Sequence, residues 1–362
     1  MESYIDLDKN NIASSTIGDV DVVWYDVRKK PFSLHGLYKP ETEPVFRRLP
    51  ADIAEQTSPA VAKLCKEPAG ARVRFSTNSP YIAIRAKFLV VGRATHIALI
   101  STSGFDLYID GEFGSRYVRE FRMPRTMTDY YEQIIQLEDN MMHSYTINFP
   151  IHAVLESLEV GLAPDSILKA AIPYRDIKPV IVYGSSIVHG TAASRPGTIY
   201  PAIMSRDLNL DYINFGFSGN AKGEPVLAEY LATLPMSVFV CDYDHNAPTV
   251  EHLEETHHQF YNIIRQKNPD VPYIMVTRPN YWTMTSSIQE RVLLRRDVIM
   301  RSYLKARENG DNNVYFIDGM SFNTAAHQYE MTVDNVHPND AGFIRMADGI
   351  ETVIRHILEK RQ

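Results

Sequence analysis

Cysteine and tryptophan are the scarcest side chains here, with two of each in 362 residues. Cys65 and Cys241 cannot supply a disulfide framework or a thiolate metal site. Each is expected to act as a small buried hydrophobe. No apolar run is long enough to span a bilayer. Excess positive charge is also missing. The formal net charge of -7 gives no reason to expect nucleic acid or an anionic membrane as a partner. The opening residues Met1-Glu2-Ser3-Tyr4-Ile5-Asp6-Leu7-Asp8 have neither a basic start nor an apolar core, unlike a signal peptide. The expectation is a cytoplasmic protein, or an exported one if a leader has been removed. Repeats and low-complexity segments are lacking too. What remains is an ordinary globular composition, long enough for two domains or for one with a large extension. A homo-oligomer stays open.

The first half of the chain reads as β-rich. Val20–Tyr25, Ala71–Phe75, Tyr81–Ala86, His96–Ile100, Gly104–Gly111, Gln133–Leu137, Ser144–Phe149 and Val154–Val160 are strand candidates. Ala71–Phe75 and Tyr81–Ala86 alternate with the period of two of half-buried strands. Asp110-Gly111 is a hairpin signal. Many short strands with regular turns predict a β-sandwich or jelly roll.

Around 162–178 the texture changes to a connector. Strands then alternate with helices: Pro179–Tyr183, Asp211–Asn214, Met236–Cys241, Tyr273–Thr277 and Val314–Ile317 are the strands. Thr249–Lys267, Ser287–Asn309 and a last helix with Phe343, Met346, Ile350, Val353 and Ile357 on one stripe lie between or after them. Asn309-Gly310 is a C-terminal stop signal. Such alternation predicts a parallel sheet covered by helices on both faces. The expected division is a β-sandwich accessory domain at 1–170 and an α/β domain at 171–362.

In open α/β sheets, ligands bind beyond the carboxyl ends of the strands. The stretch Pro179-Val180-Ile181-Val182-Tyr183-Gly184-Ser185-Ser186-Ile187-Val188-His189-Gly190 ends a strand in a glycine and two serines, either placed to be a nucleophile. Near the end stands Asp334-Asn335-Val336-His337-Pro338. A carboxylate three residues before a histidine can reach Nδ1, leaving Nε2 free as base for a serine. Pro338 suits the first turn of the final helix. Asn214-Phe215-Gly216-Phe217-Ser218-Gly219-Asn220 follows the second strand, and its glycines can leave a backbone N–H in the cleft. Cys241-Asp242-Tyr243-Asp244-His245-Asn246 follows the third, where a side-chain amide can donate to an oxyanion. All these candidates fall on one edge of one sheet.

Other chemistries fit less well. Val188 stands where the second glycine of Gly-x-Ser-x-Gly belongs, and there is no Walker lysine or Gly-x-Gly-x-x-Gly after a strand. Asp242, Asp244 and His245 do not all face one way along a strand end, which disfavours a metal. His257-His258 reads as a surface pair in mid-helix. His189 is near Ser186 and is a candidate cleft residue. Arg278, Tyr281 and Trp282 follow the fourth strand, where the rings can stack on a sugar and the guanidinium can bind a polar group. No long apolar lid is evident, which argues against long acyl chains.

The ordered set resembles the SGNH (GDSL-type) hydrolase family. Gly184-Ser185-Ser186-Ile187, Asn214 to Gly219, Asp244-His245-Asn246-Ala247 and Asp334-Asn335-Val336-His337 match its four blocks in order. The resemblance implies Ser186 as nucleophile, His337 as base and Asp334 as its orienter. It implies an oxyanion hole from the N–H groups of Ser186 and Gly219 and the amide of Asn246. Ser185 replaces the usual aspartate, Asp244 the usual glycine and Ala247 a final aspartate. Gly104-Phe105-Asp106-Leu107-Tyr108 looks like the Gly-x-Asp-Leu-Tyr signature of a β-sandwich that precedes some of these enzymes. The implied fold is a jelly-roll-like sandwich followed by a flavodoxin-like three-layer α/β/α domain. The implied activity is a serine esterase without cofactor or metal, acting on small acyl esters such as O-acetyl groups on carbohydrate. A thioesterase or lysophospholipase, or a non-catalytic glycan-binding protein, are the alternatives.

Overall fold

The computed structural model describes residues 17, 20–111, 114–279, 285–323 and 328–360. The first half forms strands β1 (Val23–Asp26), β2 (Ser33–His35), β3 (Arg72–Thr77), β4 (Tyr81–Val90), β5 (Phe105–Gly111), β6 (Gly114–Phe121), β7 (Tyr130–Gln136), β8 (His143–Asn148), β9 (Val154–Leu162) and β10 (Leu168–Lys169). They make two antiparallel sheets, ordered β1-β9-β4-β7 and β10-β3-β8-β5-β6, with β2 also on β3. Val73 and Phe75, Ile82 and Ile84, and Leu107 and Ile147 fill the space between the sheets.

The predicted alternation holds in β3, yet its polar face is not exposed. Arg72 and Arg74 are as buried as Val73 and Phe75. The α/β domain covers that face. His96–Ile100, expected as a strand, instead leads into a helix at Leu99–Ser103. Thr102 and Ser103 donate their hydroxyls to the carbonyl of Gly92, at 2.7 and 3.1 Å, so side chains satisfy backbone that a strand ladder would otherwise pair.

The second half forms β11 (Val180–Gly184), β12 (Tyr212–Gly216), β13 (Val238–Asp242), β14 (Tyr273–Val276) and β15 (Val314–Ile317). They pair in parallel in the order β12-β11-β13-β14-β15. This is the flavodoxin-like order, and it reverses at β11. Apolar runs appear because both faces are covered. Ile181, Tyr183, Phe239 and Cys241 face the helices Pro225–Leu231, Val250–Lys267 and Ser286–Glu308. Val180, Val182, Val238 and Val240 face Tyr200–Leu208 and Asp340–Glu359. Both cysteines are free and buried, as expected.

The helix ends follow local chemistry. Thr249 caps Val250–Lys267 by accepting from the N–H of His252. His257, read as a surface residue, is buried and stacks on Tyr243 at 5.6 Å, because that helix turns this side toward the sheet. Pro338 is not in the first turn of the last helix. Asn339 caps that helix, and Pro338 precedes the cap in a bridge to Thr332. Among the described residues no helix is long and apolar enough to cross a membrane.

The two halves meet along β12, an edge strand whose outward carbonyls have no strand to pair with. Arg48, fully buried, donates Nη1 to the carbonyls of Asn214 (2.9 Å) and Gly216 (2.8 Å). Its Nε and Nη2 go to Glu67 and Leu64. Arg72 donates to the Tyr212 carbonyl at 3.2 Å and pairs with Asp211. The Gly-x-Asp-Leu-Tyr segment also faces this junction. Asp106 accepts the N–H of Gly197 at 2.7 Å and an amide N–H of Asn148 at 2.8 Å. The guanidinium of Arg206 lies over the Tyr108 ring at 4.3 Å. A Cβ on Gly197 would stand 2.6 Å from Tyr108 and 2.8 Å from Asp106, so this approach requires glycine.

Burial lowers the Arg48 guanidinium to about 10, against the opposing pull of Cys65 and Glu67, and it remains charged at neutral pH. Arg48→Met keeps the apolar stem and strands several buried carbonyls. It is expected to cost about 3–5 kcal/mol, read as a lower midpoint in urea unfolding of the full chain.

Candidate active site

The loops at the carboxyl ends of β11, β12 and β13 converge where the strand order reverses. Gly184 ends β11 beside β13 with no room for a side chain: a Cβ there would lie 2.0 Å from the Asp242 carbonyl. The N–H of Ser185 donates to that carbonyl at 3.1 Å. Ser185 is fully buried and caps the short helix Ser186–His189 by accepting from the N–H of Ile187. The position where the family resemblance expects an aspartate is therefore occupied by a helix cap.

Ser186 begins that helix with its hydroxyl toward the cleft. Oγ lies 2.9 Å from Nε2 of His337. Nδ1 of His337 lies 2.8 Å from Oδ2 of Asp334. The other carboxylate oxygen accepts the N–H groups of Val336 (3.0 Å) and His337 (2.8 Å). Asn335, at φ +65°, makes the turn that lets one carboxylate hold both backbone and ring. Burial pushes the Asp334 carboxyl upward, but the His337 backbone and ring outweigh it and hold it below the usual range. An ionised Asp334 keeps the proton on Nδ1 and leaves Nε2 to accept from Ser186.

Gly219 and Asn246 line the same cleft. Gly219 adopts φ +71°, a left-handed conformation that favours glycine, and a Cβ there would meet nothing within 4 Å. Oδ1 of Asn246 accepts the N–H of Ala221 at 3.2 Å, which leaves the amide's donor end for the cleft. Asp244, in the place of the usual glycine, is buried. It accepts the N–H of Arg278 at 3.1 Å, while Arg295 donates to its carbonyl at 2.6 Å.

The cleft has a volume of about 680 Å³ and draws its walls from both halves of the chain. The sandwich side contributes Lys63, Val90, Arg93, His96 and His152. Arg278 lines the other side. His189 does not reach the cleft. It is fully buried, with Nε2 at 3.1 Å from the Ile151 carbonyl and Nδ1 at 3.0 Å from the Ser218 hydroxyl. Tyr281 and Trp282 lie outside the described residues. Glu67 and His152 were missed, since no local motif marks them. Among the described residues, Glu67, His152 and His189, and likewise His96, Asp334 and His337, have donor atoms close enough to share a cation. The first set is already joined by mutual hydrogen bonds, and the second contains the pair that serves Ser186.

Residues 177–355 match the GDSL-like Lipase/Acylhydrolase family, and residues 22–168 match the N-terminal domain of SGNH-hydrolase-type esterases. No curated protein matches the chain. A protein of Bacteroides ovatus ATCC 8483, described as a GDSL-like lipase, is 29% identical with a TM-score of 0.84, over 94% of this chain and 98% of its own. The salicylyl-acyltransferase SsfX3 from a tetracycline biosynthetic pathway has a TM-score of 0.76 at 19% identity, covering 93% and 98%. An acetyl xylan esterase from the rumen bacterium Butyrivibrio proteoclasticus has a TM-score of 0.58 at 12% identity, covering 93% and 99%.

Beneath the site, Asp242 is fully buried and Oδ1 has no hydrogen-bond partner among the described residues. Burial first, then the neighbouring Asp244, push its carboxyl well above the usual 3.8. The folded chain therefore keeps a proton that the unfolded chain releases. Stability from this group is whole below about pH 4 and is lost as pH rises toward the folded-state value. Asp242→Asn is expected to gain stability relative to wild type with rising pH, by up to about tenfold in the unfolding constant per unit. Urea titrations of both proteins between pH 4 and about 8 check this.

Proposed function

Because the chain belongs to the SGNH (GDSL-type) hydrolases and is an esterase, we propose that it removes small acyl groups, O-acetyl above all, from carbohydrate through an acyl-enzyme. The observation that carries the reading is the continuous Ser186–His337–Asp334 relay, with 2.9 and 2.8 Å between successive partners. His337 takes the Ser186 proton as Oγ attacks the ester carbonyl. The carbonyl oxygen gains negative charge and is met by the N–H groups of Ser186 and Gly219 and the amide of Asn246. His337 returns its proton to the leaving alcohol, whose oxygen departs with the sugar. Water, deprotonated by the same Nε2, then attacks the acyl-enzyme, releases the acid and restores Ser186.

The cleft supports a small acyl group on a polar alcohol. Lys63, Arg93, His96 and Arg278 surround it, with Val90, Ile97 and Val336 as its larger apolar residues. That lining suits a hydroxyl-rich leaving group better than a long acyl chain. The acetyl xylan esterase shares this fold and acts on such esters by its own description, which supports the same choice here.

Ser186→Ala is expected to abolish release of p-nitrophenol from its acetate, and retained activity would remove the nucleophile assignment. Asp334→Asn keeps the shape but presents an N–H to Nδ1, moving the ring proton to Nε2. The expected fall in kcat is about 10³–10⁴-fold. Acetate release from a panel of acetylated glycans, set against butyryl and octanoyl esters, checks the substrate class. A preference for the octanoyl ester counts against it.

A further inference from the structure

His189 sits three residues beyond Ser186 with no exposure, and the hydrolytic steps leave it unused. Its ring orientation is determined on both sides. Nε2 lies 3.1 Å from the Ile151 carbonyl and 3.2 Å from Oε2 of Glu67, both acceptors and both from the sandwich half. Nε2 therefore carries the hydrogen, and Nδ1 is left with a lone pair. That lone pair accepts from Ser218 twice, from its N–H at 3.3 Å and its hydroxyl at 3.0 Å. Burial, with Arg48 and His152 adding to it and Glu67 opposing, lowers His189 to about 4, so the ring is neutral at neutral pH.

A second branch ends at the same serine. Glu67 also receives Nδ1–H of His152 at 3.0 Å. Nε2 of His152 lies 3.2 Å from the Thr191 hydroxyl, which lies 3.2 Å from that of Ser218. One carboxylate of the sandwich thus fixes two imidazoles that together fix Ser218. The peptide between Ser218 and Gly219 is held from its other end too, since the Ser218 carbonyl accepts from the amide of Asn220 at 2.8 Å. Gly219 has no side chain of its own to hold this peptide, so the contacts at Ser218 and Asn220 orient its N–H.

We propose that His189, oriented by Glu67 from the sandwich, is a positioning residue for the oxyanion hole. It holds Ser218 so that the Gly219 N–H points at the oxygen where charge develops. The proposal rests on the role given to Gly219 under the proposed function. A donor that matters mainly in the transition state affects kcat and not KM when it is misaligned.

The test compares the full-length wild type with His189→Phe, which keeps a ring but removes both nitrogens, and His189→Asn, whose Oδ1 can stand where Nδ1 stands. kcat and KM on p-nitrophenyl acetate are measured alongside inhibition by a methyl trifluoromethyl ketone, whose serine adduct carries an oxyanion. Amide exchange at Ser218 and Gly219 is followed in parallel. For His189→Phe, kcat is expected to fall about tenfold or more with KM within about twofold. The ketone should weaken in proportion to kcat, and exchange at the two amides should quicken. His189→Asn should stay within about threefold of wild type in kcat. The proposal is overturned if His189→Phe keeps wild-type kcat, if both variants fall equally, or if exchange at the two amides is unchanged. A wild type inactive on every ester overturns the esterase-site reading instead. The exchange measurement then still decides whether His189 holds the loop.

Discussion

The structure depends on how one strand edge is finished. β12 borders the parallel sheet, and its outward carbonyls at Tyr212, Asn214 and Gly216 point away from β11. A bare row of this kind is both a desolvation cost and an invitation to mispairing. Here guanidinium groups take the place of a further strand. Arg72 meets the first carbonyl, and one nitrogen of Arg48 meets the other two. A guanidinium can do this because its donors form a rigid planar fork and keep their charge when buried. Both arginines come from the sandwich half, so the catalytic sheet is completed by another part of the chain. The last of the three carbonyls belongs to Gly216, where the loop to Gly219 starts. The contact that seals the edge therefore also fixes where the loop to Gly219 departs.

The same junction gives physical content to the Gly-x-Asp-Leu-Tyr motif. Leu107 belongs to the sandwich core, whereas Asp106 and Tyr108 on the opposite face engage Gly197 and Arg206 of the α/β domain. The motif thus joins the sandwich interior to the enzyme's flank. Through Glu67 and His152 the sandwich also lies against the loops that carry the chemistry, and through Lys63, Arg93 and His96 it forms one wall of the cleft. The first half of this chain is built as part of the active site's surroundings.

Much of this was legible in the residues. Both-face burial of β11, β13 and β14 leaves unbroken apolar runs, and the loops after them carry the chemistry at recognisable spacings. Asp334 and His337 could be paired because they stand three positions apart, close enough for the carboxylate to reach the ring. The two serines after Gly184 could not be ranked from the strand and turn. Only the family resemblance singled out Ser186; in the fold Ser185 is a buried helix cap, and the Ser186 hydroxyl is the one that meets His337. Arg72 and Arg74 read as the solvent face of a strand, since a period of two cannot say whether water or another domain covers the polar side. Glu67 was illegible because it acts across a long sequence separation with no local signature. His189 was noticed, but its depth was not, since burial of a histidine depends on partners found only in three dimensions.

The order of the two halves along the chain acquires a meaning from the arginine-sealed edge. Synthesis runs from the amino end, so the sandwich emerges before the sheet whose border it covers. Its own exposed face at that moment is rich in arginine, aspartate and hydroxyl groups, which water tolerates. The reverse order would leave a naked β12 waiting at the ribosome, with its carbonyls free to recruit a strand from another chain. In this arrangement the surface that covers β12 is synthesised before β12 itself.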